Sequence, residues 1–336
     1  MHALLRDKKG ILSMAEHFLK ILITDGMASD GLSILKSEKS FDLDVRKATE
    51  AEELLNIISQ YDCLVVRSAT KVTKEVLEKG KQLKLICRAG AGVDNIDMSA
   101  AKALKIPVMS TASANSLAAA EHAIALMFAM FRQIPHAHKT LQDGKWDRAS
   151  FMGTEVTGKT LGILGLGNIG KLVAERALGL KMNVVGFDPL VKSDSSLPIF
   201  LRGHVKVENS VDAVLRQADV LTIHLPITPE TKNFLNRDRL GFLKEGAWII
   251  NCARGGLVDE SVVCELLDSG KIRGVAFDVF EKEPVAHPHC LVTHPKAIVT
   301  PHLGASTHEA QNRVGITAAQ QITDFFIRGE QTGVLN

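Results

Sequence analysis

Three side chains in the second half of the 336-residue sequence provide the groups that hydride transfer from a secondary alcohol requires. Arg254 lies in NCARGG, residues 251–256, Glu283 follows AFDVFEK, and His302 follows AIVTP. A guanidinium presents a fixed fork of donors that suits a carboxylate, and a histidine can take the hydroxyl proton. A carboxylate can orient that histidine and balance the charge that it gains. Taken singly, Arg254 and Glu283 are explained more simply as solvent-exposed residues and His302 as a structural histidine. All three, however, follow apolar runs typical of buried strands.

The hexapeptide GLGNIG, Gly165–Gly170, has the spacing GxGxxG. Such glycine-rich turns are common, but this one follows the strand-like TLGIL, opens the amphipathic KLVAERALGL and precedes a run that ends in Asp188. Gly165 permits a tight turn, Gly167 lets the backbone approach a pyrophosphate, and Gly170 lets the helix pack on the sheet. Asp188 would accept hydrogen bonds from ribose hydroxyls and repel a 2′-phosphate, so the pattern predicts NAD rather than NADP.

The elements that must position these residues are parallel strands crossed by helices. Short runs rich in Val, Ile and Leu alternate with longer stretches of helical period, and this alternation occurs twice. It predicts an α/β fold of two doubly wound parallel-sheet domains, with a Rossmann nucleotide domain inserted into a flavodoxin-like substrate domain. The predicted strands of the first set are ILITD (21–25), DCLVVR (62–67), LKLICRAG (83–90) and PVMS (107–110). The six predicted strands of the second set are TLGILGLG (160–167), MNVVGFD (182–188), DVLTIHLP (219–226), GAWIINCA (246–253), RGVAFDV (273–279) and KAIVTPH (296–302).

Two long helical stretches connect these sets of strands. The segment 117–146 is too long for an ordinary crossover and contains Pro135, so we predict a bridging helix followed by an arm. The stretch 309–330 is helical as well and is expected to return to the first domain. The expected domains are a substrate-binding domain of residues 18–117 and 309–336, an NAD-binding Rossmann domain of residues 118–308, and an N-terminal extension of residues 1–17.

The composition argues against several other kinds of protein. A formal net charge of +2 without a basic block, with one Tyr and two Trp, disfavours nucleic acid as a partner. The longest apolar stretch, AIALMFAMF at 123–131, is too short to span a bilayer, and residues 1–20 lack the apolar core of an export signal. Five cysteines without a CxxC pair favour a reducing cytosol, so we expect a cytoplasmic protein that needs neither membrane nor metal.

Several motifs, in this order and spacing, resemble the D-2-hydroxyacid dehydrogenase family: GLGNIG, NCARGGLVDE (251–260), AFDVFEKEP (276–284) and TPHLGAST (300–307). The resemblance runs from Phe18 to Asn336 and is strongest to members that act on D-3-phosphoglycerate. It implies NAD-dependent oxidation of D-3-phosphoglycerate to 3-phosphohydroxypyruvate, the first step of serine biosynthesis. The stretches that carry this closer resemblance are RSATKVTKEVLE (67–78), RAGAGVDNID (88–97), NSLAAAEH (115–122) and DGKWDRASFMGTEVTGKTLGILGLGNIG (143–170).

The resemblance also implies a role for each of the three residues first singled out. His302 would be the base, Glu283 would stabilise the imidazolium, and Arg254 would hold the substrate carboxylate and the developing carbonyl oxygen. Because the reverse reduction needs protonated His302, lower pH is expected to favour it. The expected cofactor contacts are Gly165, Gly167, Asn168, Ile169, Gly170, Asp188, Pro189, Ala253, Asp278 and His302.

The phosphate of such a substrate is a dianion, which requires several cations and donors. By themselves, Arg67 and Arg88 could equally be strand-terminating residues at a solvent edge. The resemblance implies a homodimer or dimer-based tetramer in which Arg148 of the DGKWDR arm completes the phosphate site of the neighbouring subunit. The expected substrate contacts are Arg67, Ser68, Arg88, Asn115, Arg148 and Arg254, with carboxylate contacts from the loop backbone that includes Ala91, Gly92 and Val93.

Two alternatives remain open at this point. Another D-2-hydroxyacid dehydrogenase, such as a glyoxylate or hydroxypyruvate reductase, would not need Arg67, Arg88 and Arg148 together. An NAD-sensing scaffold, like the C-terminal-binding-protein corepressors, would keep the fold while binding peptide motifs. Many of the resembling enzymes continue past TGV into serine-binding regulatory domains, whereas this sequence stops at TGVLN (332–336), so feedback through such a domain is not expected.

Overall fold

The computed structural model describes residues 18–336 and the backbone of two short strands before them. These strands, β1 (Leu4–Arg6) and β2 (Leu12–Met14), pair antiparallel, and the other residues of the expected N-terminal extension lie outside the described part of the chain. The chain divides into two compact units. The first combines the residues up to Asn115 with Thr307–Asn336, and the second is Ser116–Ser306, so the second unit is an insertion in the first.

The first unit is built on a five-stranded parallel sheet. Its strands are β3 (Leu19–Ile23), β4 (Phe41–Val45), β5 (Cys63–Val66), β6 (Leu85–Arg88) and β7 (Val108–Ser110). Their order, β4-β3-β5-β6-β7, is that of a flavodoxin-like sheet. The sequence did not predict β4, because FDLDV alternates apolar and acidic residues as a half-exposed edge strand does and contains no apolar run.

The C-terminal helix of the first unit packs against its first helix at very short range. A Cβ atom added to Gly31 would lie 2.5 Å from the carbonyl oxygen of Gly315, so the two backbones meet where neither residue has a side chain. A π-helical turn, Asp324–Arg328, continues the last helix. The helices of this unit are α1 (Ser29–Ser37), α2 (Ala51–Ile57), α3 (Lys74–Lys79), α4 (Met98–Ala103) and α12 (His308–Thr323).

The second unit is built on a seven-stranded parallel sheet. Its strands are β8 (Thr160–Leu164), β9 (Asn183–Phe187), β10 (Val205–Val207), β11 (Val220–Ile223), β12 (Ala247–Asn251), β13 (Ile272–Phe277) and β14 (Ala297–Val299). The order β10-β9-β8-β11-β12-β13-β14 is the Rossmann order with one further strand. The sequence predicted six of these strands and missed β10, since a three-residue edge strand, VKV, gives too little pattern. The predicted fold class, two doubly wound α/β domains, is confirmed.

The bridging segment of the second unit consists of two helices that meet at a bend. Gln133, with a φ of 52°, interrupts the helix, and Pro135 lies in the first turn that follows. Among the described helices, none alone has the length and apolarity to cross a membrane; the two bridging helices, bent by 60°, meet those criteria only as a pair. The helices of this unit are α5 (Ser116–Phe131), α6 (Ile134–Gln142), α7 (Asn168–Gly179), α8 (Val211–Gln217), α9 (Arg237–Gly241), α10 (Glu260–Asp268) and α11 (Cys290–Thr293).

Two of the five cysteines form a disulfide between α10 and α11. Cys264 and Cys290 are 26 residues apart in sequence, and the fold brings their Cα atoms to 6.3 Å. The expectation of reduced cysteines is therefore wrong for this pair, whose proximity depends on how the two helices pack. The remaining three, Cys63, Cys87 and Cys252, are buried thiols. Burial raises the pKa of Cys87 to about 12, so this thiol is unreactive.

Candidate active site

The three residues expected to carry chemistry follow three neighbouring strands. Arg254 comes after β12, Glu283 after β13 and His302 after β14, and these strands pair in parallel in that order. The carboxyl ends of parallel strands lie at the same edge of a sheet, so the fold brings the three loops to one edge. The loops after β12 and β13 are in direct contact at Gly255. A Cβ atom there would lie 1.8 Å from the carbonyl oxygen of Phe280.

His302 and Glu283 form the hydrogen-bonded pair that the sequence suggested. The Nδ1 atom of His302 lies 2.7 Å from Oε2 of Glu283, and both side chains are partly exposed to solvent. The backbone N–H of Phe280 donates to the other carboxylate oxygen of Glu283 at 3.0 Å, which fixes the direction of that side chain. A carboxylate on Nδ1 determines the tautomer and leaves Nε2 as the nitrogen that can exchange a proton with a ligand.

The environment of Glu283 favours its ionised form. Partial burial opposes ionisation, but the hydrogen bonds from His302 and from the backbone of Phe280, together with the charge of His302, outweigh it and lower the pKa of Glu283. The carboxylate is therefore negative at neutral pH and can stabilise a positive charge on the imidazole.

The turn that carries Arg254 is organised by a buried asparagine that sequence reasoning missed. Asn251, the last residue of β12, accepts a hydrogen bond from the backbone N–H of Ala253 at 3.1 Å and donates to the carbonyl of Arg254 at 3.0 Å. The guanidinium of Arg254 donates to the carbonyl of Ala253 at 2.6 Å. A polar residue at the end of an apolar strand is the signal in NCARGG that indicates such a turn.

The glycine turn after β8 has the shape that a dinucleotide requires. Gly165 has a φ of 95°, and a Cβ atom on Gly170 would lie 1.9 Å from the carbonyl oxygen of Gly165, so the strand, turn and helix α7 pack closely. Nothing lies within 4 Å of the Cβ position of Gly167, which precedes α7 without a side-chain cap. The first amides of a twelve-residue helix thus adjoin an open backbone, an arrangement that binds phosphate groups in other proteins.

Asp188 follows β9 and is joined to the glycine turn. Its carboxylate accepts hydrogen bonds from the backbone N–H groups of Leu166 and Leu190, both at 2.8 Å. Each carboxylate oxygen has a second lone pair and can accept one further hydrogen bond. Pro189, the next residue, is exposed, whereas Asp278, another expected cofactor contact, is fully buried after β13.

In the first unit, the loop RSAT follows β5 and is held by residues that sequence reasoning did not single out. Asp25 accepts hydrogen bonds from the backbone N–H of Arg67 at 2.7 Å and from the Thr70 hydroxyl at 2.7 Å. Asn95 donates to the carbonyls of Arg67 and Thr70 at 2.7 and 2.6 Å. The guanidinium of Arg67 is hydrogen-bonded to Gln311 of α12, and Ser68 is the next residue of this loop.

Arg88 ends β6, the strand beside β5. Its guanidinium lies across the following glycine, because a Cβ atom on Gly90 would come within 1.4 Å of Nη1 of Arg88. Ala91, Gly92 and Val93 follow and are partly exposed. Asn115 has a buried Oδ1 that has no hydrogen-bond partner among the described residues.

Arg148 lies in the second unit, on the exposed stretch that follows α6. It precedes a 3₁₀ turn, Ala149–Phe151. In that turn the backbone N–H of Ser150 donates to Oδ1 of Asp147 at 3.1 Å. Within the described part of the chain, no group of three or more His, Cys, Asp or Glu residues could hold a metal ion.

Residues 124–304 match the family model described as D-isomer specific 2-hydroxyacid dehydrogenase, NAD binding domain. The chain is similar to the D-3-phosphoglycerate dehydrogenase of Methanocaldococcus jannaschii, with 44% identity over 312 residues, which are 93% of this chain and 58% of that protein. This chain thus spans little more than half of that relative.

Two solved structures resemble this one over nearly their whole length. A glyoxylate reductase from Paecilomyes thermophila has a TM-score of 0.85 and 31% identity, covering 95% of this chain and 98% of that one. The 3-phosphoglycerate dehydrogenase of Entamoeba histolytica with bound NAD⁺ has a TM-score of 0.79 and 28% identity, covering 95% and 99%.

Proposed function

The chain belongs to the D-isomer-specific 2-hydroxyacid dehydrogenase family, and from that premise we propose that it is a cytoplasmic, NAD-dependent D-3-phosphoglycerate dehydrogenase. It oxidises D-3-phosphoglycerate to 3-phosphohydroxypyruvate, the first step of serine biosynthesis. The similarity to the Methanocaldococcus protein of that name supports this substrate. The observation that carries the reaction type is the 2.7 Å pair of His302 and Glu283 at the sheet edge that also bears Arg254.

The proposed roles follow from the charges of the three side chains. A bound NAD⁺ would supply the acceptor for the hydride that leaves C2 of the hydroxy acid. Nε2 of His302 takes the proton of the C2 hydroxyl, and Glu283, bonded to Nδ1, stabilises the imidazolium that forms. Arg254 binds the C1 carboxylate and stabilises the negative charge that develops on the C2 oxygen.

The second unit is the NAD-binding domain of this proposal. The glycine turn of Gly165, Gly167 and Gly170 lets the pyrophosphate approach the first amides of α7, which bind it. Asp188 accepts hydrogen bonds from the adenosine ribose hydroxyls. The negative charge of Asp188 disfavours the 2′-phosphate of NADP. The other proposed contacts are Asn168, Ile169, Pro189, Ala253, Asp278 and His302.

The first unit is the substrate-binding domain. Arg67 follows β5 and Arg88 ends the neighbouring β6, so they provide two cations for the phosphate, and the side-chain N–H of Asn115 can donate a third contact. Ser68 and the backbone of Ala91, Gly92 and Val93 complete the proposed set.

We propose that the protein is a homodimer in which Arg148 of the partner subunit completes the phosphate site. The stretch around Arg148 exposes large apolar side chains, which favours burial in a subunit contact: Trp146 is 81% and Met152 78% exposed. Ile134 and Leu141 of α6 are also exposed by more than half.

The experiment that tests the reaction is NADH oxidation by the purified chain with 3-phosphohydroxypyruvate, hydroxypyruvate or glyoxylate. Preference for the phosphorylated keto acid, lost in Arg67→Ala, is the expected result. Arg328→Ala is the matched control, because Arg328 pairs with Asp324 in the C-terminal turn and has no proposed role.

A second candidate function is a glyoxylate or hydroxypyruvate reductase, favoured by the structural similarity to the Paecilomyes enzyme. This function uses the same His302, Glu283 and Arg254 but leaves the arginines of the first unit without a phosphate to bind. Preference for glyoxylate in the same assay, undiminished in Arg67→Ala, would select it. NADH binding without turnover of any keto acid would instead select an NAD-sensing scaffold.

A further inference from the structure

A second histidine contacts the loop that carries His302, and the proposed reaction gives it no role. His122 lies on α5, and its side chain is largely buried, with 19% exposed. Its Nε2 lies 3.2 Å from the hydroxyl of Thr300 and 3.2 Å from Oδ1 of Asp278. All these residues belong to the second unit.

Asp278 connects His122 to the backbone around His302. Its Oδ1 accepts from the Thr300 hydroxyl at 2.6 Å and from the N–H of Leu303 at 2.7 Å, and its Oδ2 accepts from the N–H of Gly304 at 2.8 Å. Its own carbonyl accepts from the N–H of His302 at 2.8 Å. Three consecutive amides of the turn therefore depend on one buried aspartate.

The turn needs this support because its backbone is unfavourable. His302 has a φ of 57°, in the left-handed region that residues with a Cβ rarely adopt. Such a conformation persists only where surrounding bonds hold it, and here it directs the imidazole towards Glu283.

The donors and acceptors around His122 determine which of its ring nitrogens carries the proton. An ionised carboxylate can only accept, and the Thr300 hydroxyl already donates to it, so Nε2 of His122 must carry the proton that faces both oxygens. Burial opposes ionisation of Asp278, but the hydrogen bonds from His122, Thr300 and Leu303 outweigh it and lower the pKa of that carboxyl.

We propose that His122 is a positioning residue for hydride transfer: by donating to Asp278 and Thr300, it holds the turn that places His302 against Glu283. The inference rests on the proposed role of His302 in proton transfer. His122 touches none of the reacting groups in this scheme and acts only through Asp278 and Thr300.

A pair of substitutions separates this role from simple packing in α5. His122→Gln keeps an N–H donor of similar reach, whereas His122→Leu keeps an apolar side chain and removes the donor. If His122 only fills space, the two variants behave alike. Thr300→Val and Thr300→Ser form a second pair at the other donor to Asp278, which keeps the test decisive if His122→Leu does not fold.

The experiment is hydrogen–deuterium exchange of the full chain without cofactor or substrate, read on the peptide spanning residues 299–306. In His122→Leu and Thr300→Val, exchange of the Leu303 and Gly304 amides should rise about tenfold, because a bond to a charged group is lost; in His122→Gln and Thr300→Ser, it should stay near wild type. The NADH-oxidation kcat should fall about tenfold in His122→Leu and in Thr300→Val, while the affinity for NADH changes far less.

Unchanged exchange in His122→Leu, or equal losses in His122→Leu and His122→Gln, would overturn the positioning role. Faster exchange without a fall in kcat would overturn its link to His302. Because the exchange measurement needs neither cofactor nor substrate, a wild-type chain that turns over no keto acid would refute the proposed function separately.

Discussion

The two sheets end in polar edges of opposite kinds. After β13 and β14 of the second unit, carboxylates and histidines bond to one another, as Glu283 does to His302. At the ends of β5 and β6 of the first unit, the corresponding residues are arginines, Arg67 and Arg88. A histidine paired with a carboxylate can exchange a proton near neutral pH, whereas an arginine stays protonated and can only bind an anion. The contrast separates the edge suited to chemistry from the edge suited to recognition.

The two edges nevertheless share one structural device. Asp278, just after β13, accepts hydrogen bonds from the backbone of the His302 turn, and Asp25, just after β3, accepts from the backbone N–H of Arg67. In each unit a carboxylate at a strand end shapes a neighbouring loop and leaves that loop's own side chains to face a ligand. The shape of each loop thus depends on a carboxylate that follows a different strand.

Removing the imidazole of His302 should have the largest effect on turnover, because proton exchange belongs to the edge of the second unit alone. In His302→Asn we expect kcat to fall about 10³-fold, the order that proton transfer by a positioned side chain contributes, while the affinity for NADH changes far less. NADH absorbance and fluorescence titration measure the two quantities. His294→Asn is the control, since it removes a histidine paired with Asp268 at 3.3 Å outside the site. Near-normal turnover in His302→Asn would contradict the proposed base.

Arg254 lies at the edge of the second unit, which is suited to chemistry, but it is proposed to bind an anion. It therefore tests whether that edge also recognises the substrate. Arg254→Lys keeps the charge and loses the planar fork, and we expect kcat/KM to fall about 10- to 100-fold. Steady-state NADH oxidation measures this fall. Arg237→Lys, at an arginine paired with Glu265 on the surface, should behave as wild type. An Arg254→Lys enzyme indistinguishable from that control would exclude bidentate binding.

A substitution at the recognition edge should change selectivity and leave the chemistry intact. For Arg67→Ala we expect KM for 3-phosphohydroxypyruvate to rise about 10- to 100-fold, because a charge-assisted contact is lost, with little change in kcat. The measurement is a substrate series that includes unphosphorylated hydroxypyruvate, whose kinetics should not change. An equal loss with both substrates would mean that Arg67 supports the loop rather than the phosphate.

The smallest expected effect concerns the stability that the pair of Glu283 and His302 contributes. Since the pKa of Glu283 is lowered from its usual 4.5, the ionised carboxylate and its hydrogen bonds stabilise the fold above that pH, and the contribution disappears as the pH falls through the lowered pKa. The Tm of Glu283→Gln should lie about 1–3 °C below wild type at pH 7, a small shift because the pair is partly exposed. Differential scanning fluorimetry across acidic and neutral pH tests this, and a difference that grows on acidification would contradict it.

Much of the fold and the core of the site could be predicted because their signals are local. The glycine spacing of Gly165–Gly170 and the apolar runs before Arg254 and His302 reflect the secondary structure of consecutive residues. The failures have the same cause: β4 and β10 are edge strands, short or half-exposed, whose residues carry no apolar run. The link between Cys264 and Cys290 left no local pattern either.

The sequence by itself determined the alternation of strands and helices, the glycine turn and the strand ends at which Arg254, Glu283 and His302 lie. Only the tertiary structure decided which partners those residues meet. Gln311 reaches Arg67 across 244 positions and His122 reaches Thr300 across 178, and no periodicity connects residues so far apart. Backbone periodicity is a property of neighbouring residues, whereas side-chain partners depend on the strand order of each sheet and on how its helices pack.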